Sequence, residues 1–236
     1  MSDTSRHRAG DSAELSRALS EGPLVTEGPG LLVMDVDSTL IEQEVIELIA
    51  ERAGTHELVA EVTARAMRGE LDFAASLRER VATLAGVPQG VFAEVLAEVR
   101  PTQGAAELIE ALHARGCRVG VVSGGFEEVV VPLAERLGID HMAANRLEVV
   151  EGRLTGRVMG RIMDRQEKVR CLIAWAQEDG VPMERTIAVG DGANDLGMLE
   201  AAGLGVAFCA KPVVVEQADA AIHVRDLRAV LQLIGG

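Results

Sequence analysis

Short apolar runs along the chain stop abruptly at small polar or acidic residues. Three such junctions are residues 31–34 before Asp35, residues 118–122 before Ser123, and residues 186–189 before Gly190-Asp191. Apolar runs of this length, ended by turn residues, are typical of strands buried in a parallel sheet. Because the carboxyl ends of parallel strands meet at one edge, where such folds bind ligands, these junctions predict one shared site.

Helical and strand-like spacings alternate along most of the chain. They predict helices over about 103–115, 126–137, 166–179 and 193–202, strands over about 117–122, 185–190, 204–208 and 220–224, and a hairpin over 142–160. This alternation predicts right-handed βαβ units and a parallel sheet covered by helices on both faces. Residues 42–100 differ, because they show only helical spacing and predict about four short helices inserted after the first strand.

The acidic residues at two of the junctions have a spacing that favours joint chemistry. Asp35 and Asp37 point to the same side of an extended backbone, so they can share one pocket. Two carboxylates in one pocket repel each other unless a cation or a shared proton relieves them. With Asp191 they offer hard oxygen ligands, which suit Mg²⁺ better than a soft transition metal. Since a carboxylate can also attack phosphorus, the pattern indicates metal-assisted phosphoryl transfer.

The third junction has the features of an anion-binding site. Ser123 and Gly124 lie where a predicted strand gives way to a predicted helix. A hydroxyl group and exposed backbone N–H groups at such a position form a cradle for an anion, and the helix N-terminus favours negative charge. This junction therefore predicts a phosphate-binding loop beside the acidic residues.

Composition and charge exclude several classes of protein. The net charge of −14 argues against nucleic-acid binding, since no basic surplus is present to neutralise phosphates. No stretch approaches the ~18 apolar residues of a membrane span, and the N-terminus lacks the apolar segment of a secretory signal. The three cysteines and five histidines form no metal-binding pattern. We therefore expect a cytoplasmic protein that acts on a small molecule, with no membrane or nucleic-acid partner.

Four motifs occur together in an order that matches one known family. They are DVDST at 35–39, VVSGGF at 121–126, Lys168, and GDGAND at 190–195. With them the chain resembles the haloacid dehalogenase (HAD) superfamily, and within it the phosphoserine phosphatases, from about residue 31 to the C-terminus. The resemblance implies a HAD-like, doubly wound, Rossmann-like α/β core with an inserted small helical cap domain.

The domain boundaries follow from this resemblance and from the local composition. Residues 31–41 and 101–236 are expected to form the core, and residues 42–100 are expected to form the cap that sets substrate specificity. Residues 1–30 are polar, rich in Ser, Arg, Glu and Gly, and predict a flexible or loosely attached leader. A monomer and a homodimer are both compatible with the sequence.

The resemblance also implies an activity and a set of catalytic roles. It implies a Mg²⁺-dependent phosphomonoesterase that hydrolyses O-phospho-L-serine through an aspartyl-phosphate, the last step of serine biosynthesis. Asp35 would be the nucleophile, Asp37 the general acid and base, and Lys168 the cation that neutralises the phosphoryl group. Asp35, Asp37 and Asp191 would hold the metal. Asp195 would hold Lys168 or a metal-bound water, or would only stabilise a helix N-terminus.

Substrate binding is implied for seven further residues. They are Glu44, Met67, Phe73, Arg80, Ser123, Gly124 and Asn194. Glu44 is expected near the substrate ammonium group and Arg80 near its carboxylate, because a guanidinium group matches a carboxylate in a bidentate manner. Met67 and Phe73 would close over the substrate and exclude water, although both also fit a role in helix packing.

Three alternatives stay open at this stage. A phosphotransferase that moves phosphate from phosphoserine to another alcohol would use the same aspartyl-phosphate. A phosphatase for a different small metabolite would lack the pairing of Glu44 with Arg80. A non-catalytic binding protein on the same fold is the third, since a fold alone does not fix a function. Such a protein would be expected to have lost Asp35, Asp37 or Lys168, all of which are present.

Overall fold

A seven-stranded sheet flanked by helices forms the centre of the structure, a computed structural model that describes residues 22–235. The strands are β1 (Leu31–Met34), β2 (Arg118–Phe126), β3 (His141–Val150), β4 (Arg153–Met159), β5 (Thr186–Gly190), β6 (Leu204–Phe208) and β7 (Ala220–Ile222). The helices are α1 (Pro23–Thr26), α2 (Val45–Ala53), α3 (His56–Met67), α4 (Phe73–Ala82), α5 (Val91–Glu98), α6 (Ala105–Ala114), α7 (Glu127–Leu137), α8 (Arg165–Glu178), α9 (Leu196–Ala201), α10 (Pro212–Val215) and α11 (Ala229–Leu233).

The strand order places β1 at the centre of the sheet. The order is β4-β3-β2-β1-β5-β6-β7. Strands β2 to β4 therefore lie on one side of β1, and strands β5 to β7 lie on the other. All neighbouring strands are parallel except β3 and β4, which form an antiparallel hairpin at one edge. The predicted doubly wound parallel sheet is therefore confirmed. The crevice beyond β1 and β5 is the topological switch point, where folds of this kind bind ligands.

The composition of the central strands explains why they lie inside. Every residue of β1, β5 and β6 is buried, as expected for parallel strands that helices cover on both faces. Two apolar clusters lie on the two faces, one containing Leu32 and Met34 and the other containing Leu31 and Val33. Alternate side chains of β1 thus enter opposite layers, and the strand has no polar face to offer solvent.

The predicted hairpin over residues 142–160 is confirmed as β3 and β4. Its two-residue turn, Glu151-Gly152, has positive φ at both positions (50° and 74°), the geometry that matches the twist of paired strands. The outer edge of β4 is paired in turn with the loop that follows α4. There the Gly86 N–H donates to the Leu154 carbonyl at 2.7 Å, and the Leu154 N–H donates to the Val87 carbonyl at 2.8 Å.

Helices α2–α5 form the inserted segment, in agreement with the predicted number of short helices. The two ends of this segment are joined to each other by an antiparallel bridge between Ile41 and Pro101. The division of the chain into a core and a specificity cap stays a prediction. Among the helices in residues 22–235, none is long and apolar enough to cross a membrane.

The flexible or loosely attached leader predicted over residues 1–30 stays a prediction, although its last part has contacts with the core. Residues 22–30 pack against the core, because Leu24 is buried and the Arg185 side chain donates to the Gly28 carbonyl at 2.8 Å. A long-range partner therefore fixes this polar stretch, which local composition does not reveal. Residues 1–21 lie outside the described part of the chain.

Candidate active site

Strands β1 and β5 bring the acidic residues of two motifs to the same level. The strands pair in parallel, and the Asp35 N–H extends the ladder by donating to the Val189 carbonyl at 2.9 Å. Asp191 follows directly after β5, and the Thr39 hydroxyl donates to its Oδ1 at 3.2 Å. Carboxylate oxygens of Asp35, Asp191 and Asp195 all lie within 4.8 Å of one another. The predicted convergence of strand ends thus produces a compact acidic cluster.

Lys168 supplies a buried cation to this cluster. Its Nζ lies 2.9 Å from Asp35 Oδ1 and donates to Asp195 Oδ1 at 2.7 Å, and its side chain is completely buried. Asp164 caps the first turn of α8 by accepting the N–H groups of the two residues after Arg165, and so fixes the helix that carries Lys168. Burial opposes the charge on Lys168, but the two carboxylates outweigh it and raise the pKa of the ammonium group. The side chain is therefore a fixed positive charge.

The two oxygens of Asp35 have different surroundings. Oδ1 accepts the Val36 N–H at 2.7 Å and faces Lys168. Within residues 22–235 no hydrogen bond is made to Oδ2, so this oxygen keeps its lone pairs for a ligand. Burial, followed by the Asp195 charge, raises the pKa of Asp35, and Lys168 opposes that rise. Added positive charge at the cluster would therefore favour the ionised, nucleophilic form of Asp35.

Asp37 lies in a kinked turn after β1 and lines the same cavity as Asp35 and Asp191. Its Oδ1 accepts the Val45 N–H at 3.3 Å, at the start of α2. Burial, and then the charge of Glu44, raise the pKa of Asp37 to about 8. This direction favours the protonated form, which a general acid needs at neutral pH. The carboxylates that converge are thus Asp35, Asp191 and Asp195, a set that differs by one residue from the predicted metal ligands.

The loop at residues 123–125, near the end of β2, lies against Asp37. The Gly125 N–H donates to Ser123 Oγ at 2.8 Å, so the serine hydroxyl is held inside the loop. A Cβ atom on Gly125 would lie 3.0 Å from Asp37 Oδ2, and one on Gly124 would lie 3.0 Å from the Phe73 ring. The backbone therefore approaches Phe73 and Asp37 closely, and glycine fits at these two positions without displacing either side chain.

A cavity of about 530 Å³ opens over these groups, a volume suited to a small metabolite. Nine of the predicted site residues line it: Asp35, Asp37, Glu44, Met67, Phe73, Arg80, Gly124, Asp191 and Asn194. Ser123 and Lys168 do not line it, because both are fully buried behind its surface. Arg165 and Lys211 also line the cavity, and neither was predicted. No motif marks them, since each looks like an ordinary surface cation until the chain is folded.

Glu44 and Arg80 place opposite charges on the walls of the cavity. Glu44 Oε1 accepts the Ser38 hydroxyl at 2.8 Å, and burial raises the pKa of Glu44. Burial also lowers the pKa of Arg80, although Glu44 and Asp37 oppose this effect. A guanidinium group stays charged in proteins even so. The cavity thus offers Glu44 to a cationic group and Arg80 to an anionic group of a ligand. Both lie near the acidic residues and the loop at 123–125, which suit a phosphate ester.

The fold and this site define a phosphoryl-transfer enzyme whose acidic residues follow the carboxyl ends of parallel strands. Residues 32–200 match the family model of the haloacid dehalogenase-like hydrolases, and the chain belongs to this family. The predicted resemblance is therefore confirmed.

Within the family, the chain is similar to phosphoserine phosphatases. It is 53% identical to the phosphoserine phosphatase of Streptococcus thermophilus, over 89% of this chain and 98% of that protein. It is 60% identical to the phosphoserine phosphatase of Streptomyces coelicolor over 87% of this chain, which spans 50% of that longer protein.

Solved structures give the same result. A phospho-aspartyl intermediate analogue of phosphoserine phosphatase superimposes with a TM-score of 0.82 at 45% identity, over 86% of this chain and 98% of that one. A substrate-bound phosphoserine phosphatase complex also gives a TM-score of 0.82 at 45% identity, over 86% of this chain and 97% of that one.

Proposed function

We propose that this protein hydrolyses O-phospho-L-serine to L-serine and phosphate through an aspartyl-phosphate on Asp35. The observation that carries the proposal is the presence, in one cavity, of the pair Asp35 and Asp37 together with the opposite charges of Glu44 and Arg80. Phosphoserine carries a phosphate, an ammonium group and a carboxylate. Each of these groups finds a complementary group in the cavity, whereas a simple phosphate ester would leave Glu44 and Arg80 without partners.

The first half-reaction follows from the environments of the two aspartates. Oδ2 of Asp35 attacks phosphorus, and the bond between phosphorus and the seryl oxygen breaks. Asp37, protonated because its pKa is raised to about 8, gives its proton to that oxygen as serine leaves. Lys168, held by Asp35 and Asp195, stabilises the negative charge of the phosphoryl group during transfer.

The second half-reaction reverses the role of Asp37. As a carboxylate, Asp37 takes a proton from a water molecule, and the water oxygen attacks phosphorus. The bond between phosphorus and Asp35 then breaks, which restores Asp35 and releases phosphate. Ser123 and the N–H groups of its loop would hold the phosphate oxygens in both steps, since the loop lies directly beside Asp37.

The acidic cluster fits a divalent metal ion. Burial, and then the charges of Asp195 and Glu44, raise the pKa of Asp191 to about 6, so the cluster carries more negative charge than its surroundings stabilise. Asp35 and Asp191 would hold Mg²⁺ through their carboxylates. Asp37 would contribute its main-chain carbonyl, since its carboxyl group is required as the acid. When bound, Mg²⁺ would offset charge on the phosphoryl group. Asp195 is less suited as a ligand, because its two oxygens already bind Lys168 and the Gly192 N–H.

The substrate is tested by phosphate release in the presence of Mg²⁺. O-phospho-L-serine is compared with O-phosphothreonine, p-nitrophenyl phosphate and glycerol phosphate, and Asp35→Asn serves as the inactive control. We expect strong preference for phosphoserine and no turnover by the variant. Hydrolysis of all four esters at similar efficiency would keep the mechanism and reject the substrate. Turnover by Asp35→Asn would reject Asp35 as the nucleophile. The cytoplasmic location, the place in serine biosynthesis and the oligomeric state stay predictions.

A further inference from the structure

A bulge interrupts the pairing of β2 with β3 beside the phosphate-binding loop. Val122 pairs with Ala143 and Phe126 pairs with Asn145, so three residues of β2 lie opposite one residue of β3. Ser123, Gly124 and Gly125 are the three residues in the bulge. Such bulges leave backbone groups without their regular partner in the neighbouring strand and are common beside active sites.

The side chain of Asn145 bonds to the bulge from β3. Its Nδ2 donates to the Gly124 carbonyl at 2.8 Å, and its Oδ1 accepts the Met163 N–H at 2.8 Å. The residue is only 1% exposed. Both partners are backbone groups with a fixed role, one an acceptor and the other a donor, so the orientation of the amide is determined. Asn145 therefore bridges two loops that are distant in sequence.

The first of these bonds sets the direction of a backbone N–H in the site. In a trans peptide the carbonyl and the following N–H point in opposite directions. When Asn145 holds the Gly124 carbonyl on the β3 side, the Gly125 N–H must point to the other side. There it donates to Ser123 Oγ, at 2.8 Å, inside the proposed phosphate cradle.

The second bond reaches the helix that carries the catalytic lysine. Met163 immediately precedes Asp164, the residue that caps α8. The Lys168 N–H donates to the Asp164 carbonyl at 3.0 Å, so Lys168 lies on the first turn after the cap. One buried amide thus fixes both the loop that would bind the phosphate and the start of the helix that holds its counter-charge.

We propose that Asn145 is a positioning residue for phosphoryl transfer, which aligns the Gly124–Gly125 peptide with Lys168. This role rests on the proposed phosphatase function, because it assigns a phosphate to the cradle. Asn145 acts through other groups, since both hydrogen bonds of its side chain are made to backbone atoms.

Two variants and one matched control test the proposal. Asn145→Leu removes both hydrogen bonds at similar volume, whereas Asn145→Asp keeps an acceptor for Met163 and loses the donor to Gly124. The control is Thr186→Val, at the opposite end of β5. The Thr186 hydroxyl is also fully buried and also bridges two backbone groups, donating to the Met183 carbonyl at 2.7 Å and accepting the Gly203 N–H at 3.1 Å.

The measurements are kcat and KM for phosphoserine and for p-nitrophenyl phosphate, the Kd of inorganic phosphate by calorimetry with Mg²⁺, and the urea midpoint. For Asn145→Leu we expect kcat to fall by about 100-fold with both esters, the loss typical of misplaced reacting groups, and phosphate to bind more weakly. Asn145→Asp keeps the acceptor for Met163 but turns a carboxylate oxygen toward the Gly124 carbonyl, so it should also lower kcat and weaken phosphate binding. Thr186→Val should lower the urea midpoint and leave kcat and the phosphate Kd unchanged.

A purely structural role for Asn145 would give a different result. If Asn145→Leu lowers the urea midpoint as Thr186→Val does but keeps kcat and the phosphate Kd within about twofold of the unmodified protein, the proposal is wrong. If Asn145→Leu does not fold, the same criterion applies to Asn145→Asp. Phosphate binding does not depend on which ester is hydrolysed. If the unmodified protein shows no preference for phosphoserine, the proposed substrate is therefore rejected, but the positioning role of Asn145 is not.

Discussion

The Lys168→Met substitution would remove the ammonium group between two buried carboxylates and keep a side chain of similar length. Lys168 Nζ lies 2.9 Å from Asp35 and 2.7 Å from Asp195, and the three side chains are at most 7% exposed. Solvent therefore screens these contacts little. Breaking a buried ion pair by removing one partner costs about 3–5 kcal/mol, because a charge is left uncompensated. Domains are stable by only about 5–15 kcal/mol, so the loss would be large.

The cost of this substitution should depend on pH in a defined direction. In the unmodified protein, burial and Asp195 already raise the pKa of Asp35, and Lys168 opposes them. Without Lys168 that pKa rises further above its value in the unfolded chain. A carboxyl group with a raised folded-state pKa destabilises the fold when ionised, and this penalty shrinks as the pH falls and the group binds a proton. The stability deficit should therefore be largest near pH 8 and smaller near pH 5.5.

Urea unfolding of both proteins without metal, at several pH values, measures this deficit. In a thermal melt at pH 8, the melting temperature of the variant should be lower than that of the unmodified protein by on the order of 10 °C. The double variant Lys168→Met with Asp195→Asn removes one of the two orphaned charges and should recover part of the loss. A deficit below about 0.5 kcal/mol at pH 8, or one that does not change with pH, would refute this account of the buried cation.

Two further predictions concern the substrate and the metal. Arg80→Ala should raise KM for phosphoserine far more than for p-nitrophenyl phosphate, which has no carboxylate, and Arg78→Ala, an exposed arginine of the same helix, is the control. Equal effects on both esters would mean that Arg80 does not bind the carboxylate. Excess EDTA should stop turnover and added Mg²⁺ should restore it, because Lys168 alone does not balance the negative charge of the acidic cluster. Full activity after thorough chelation would contradict the metal role.

The sequence predicts most of the fold because local patterns carry it. The apolar run of β1 and its acidic end can be read directly, and so can the alternation that follows residue 103. The predicted strand 117–122 is too short, since β2 continues to Phe126 through the bulge. Serine and two glycines give no strand signal, and only the pairing of Phe126 with β3 shows that the strand resumes.

Some residues of the candidate site could likewise be predicted from the sequence, and others could not. Three acidic residues of the site could be predicted from the sequence. Asp35 follows an apolar run, and one residue separates Asp37 from it. Asp191 follows a second apolar run and Gly190. Asn145 could not be predicted, since its role requires the bulge of β2 and the loop before α8 to meet at β3. In the sequence it is one polar residue of a hairpin strand. Contacts between three distant segments leave no periodicity and no local composition to detect.

The pairing of the 86–89 loop with β4 limits how the inserted helices can move. A segment joined to a core only by its two ends, like the ends bridged at Ile41 and Pro101, can rotate as a rigid body around them. Here a second bridge, between Pro88 and Arg153, attaches the connection between α4 and α5 to the sheet edge. We therefore expect any widening of the cavity mouth to involve the part of the segment before this bridge. Met67, at the end of α3, lines the cavity and is 72% exposed, so we expect α3 and the turn after it to be less restrained than α5.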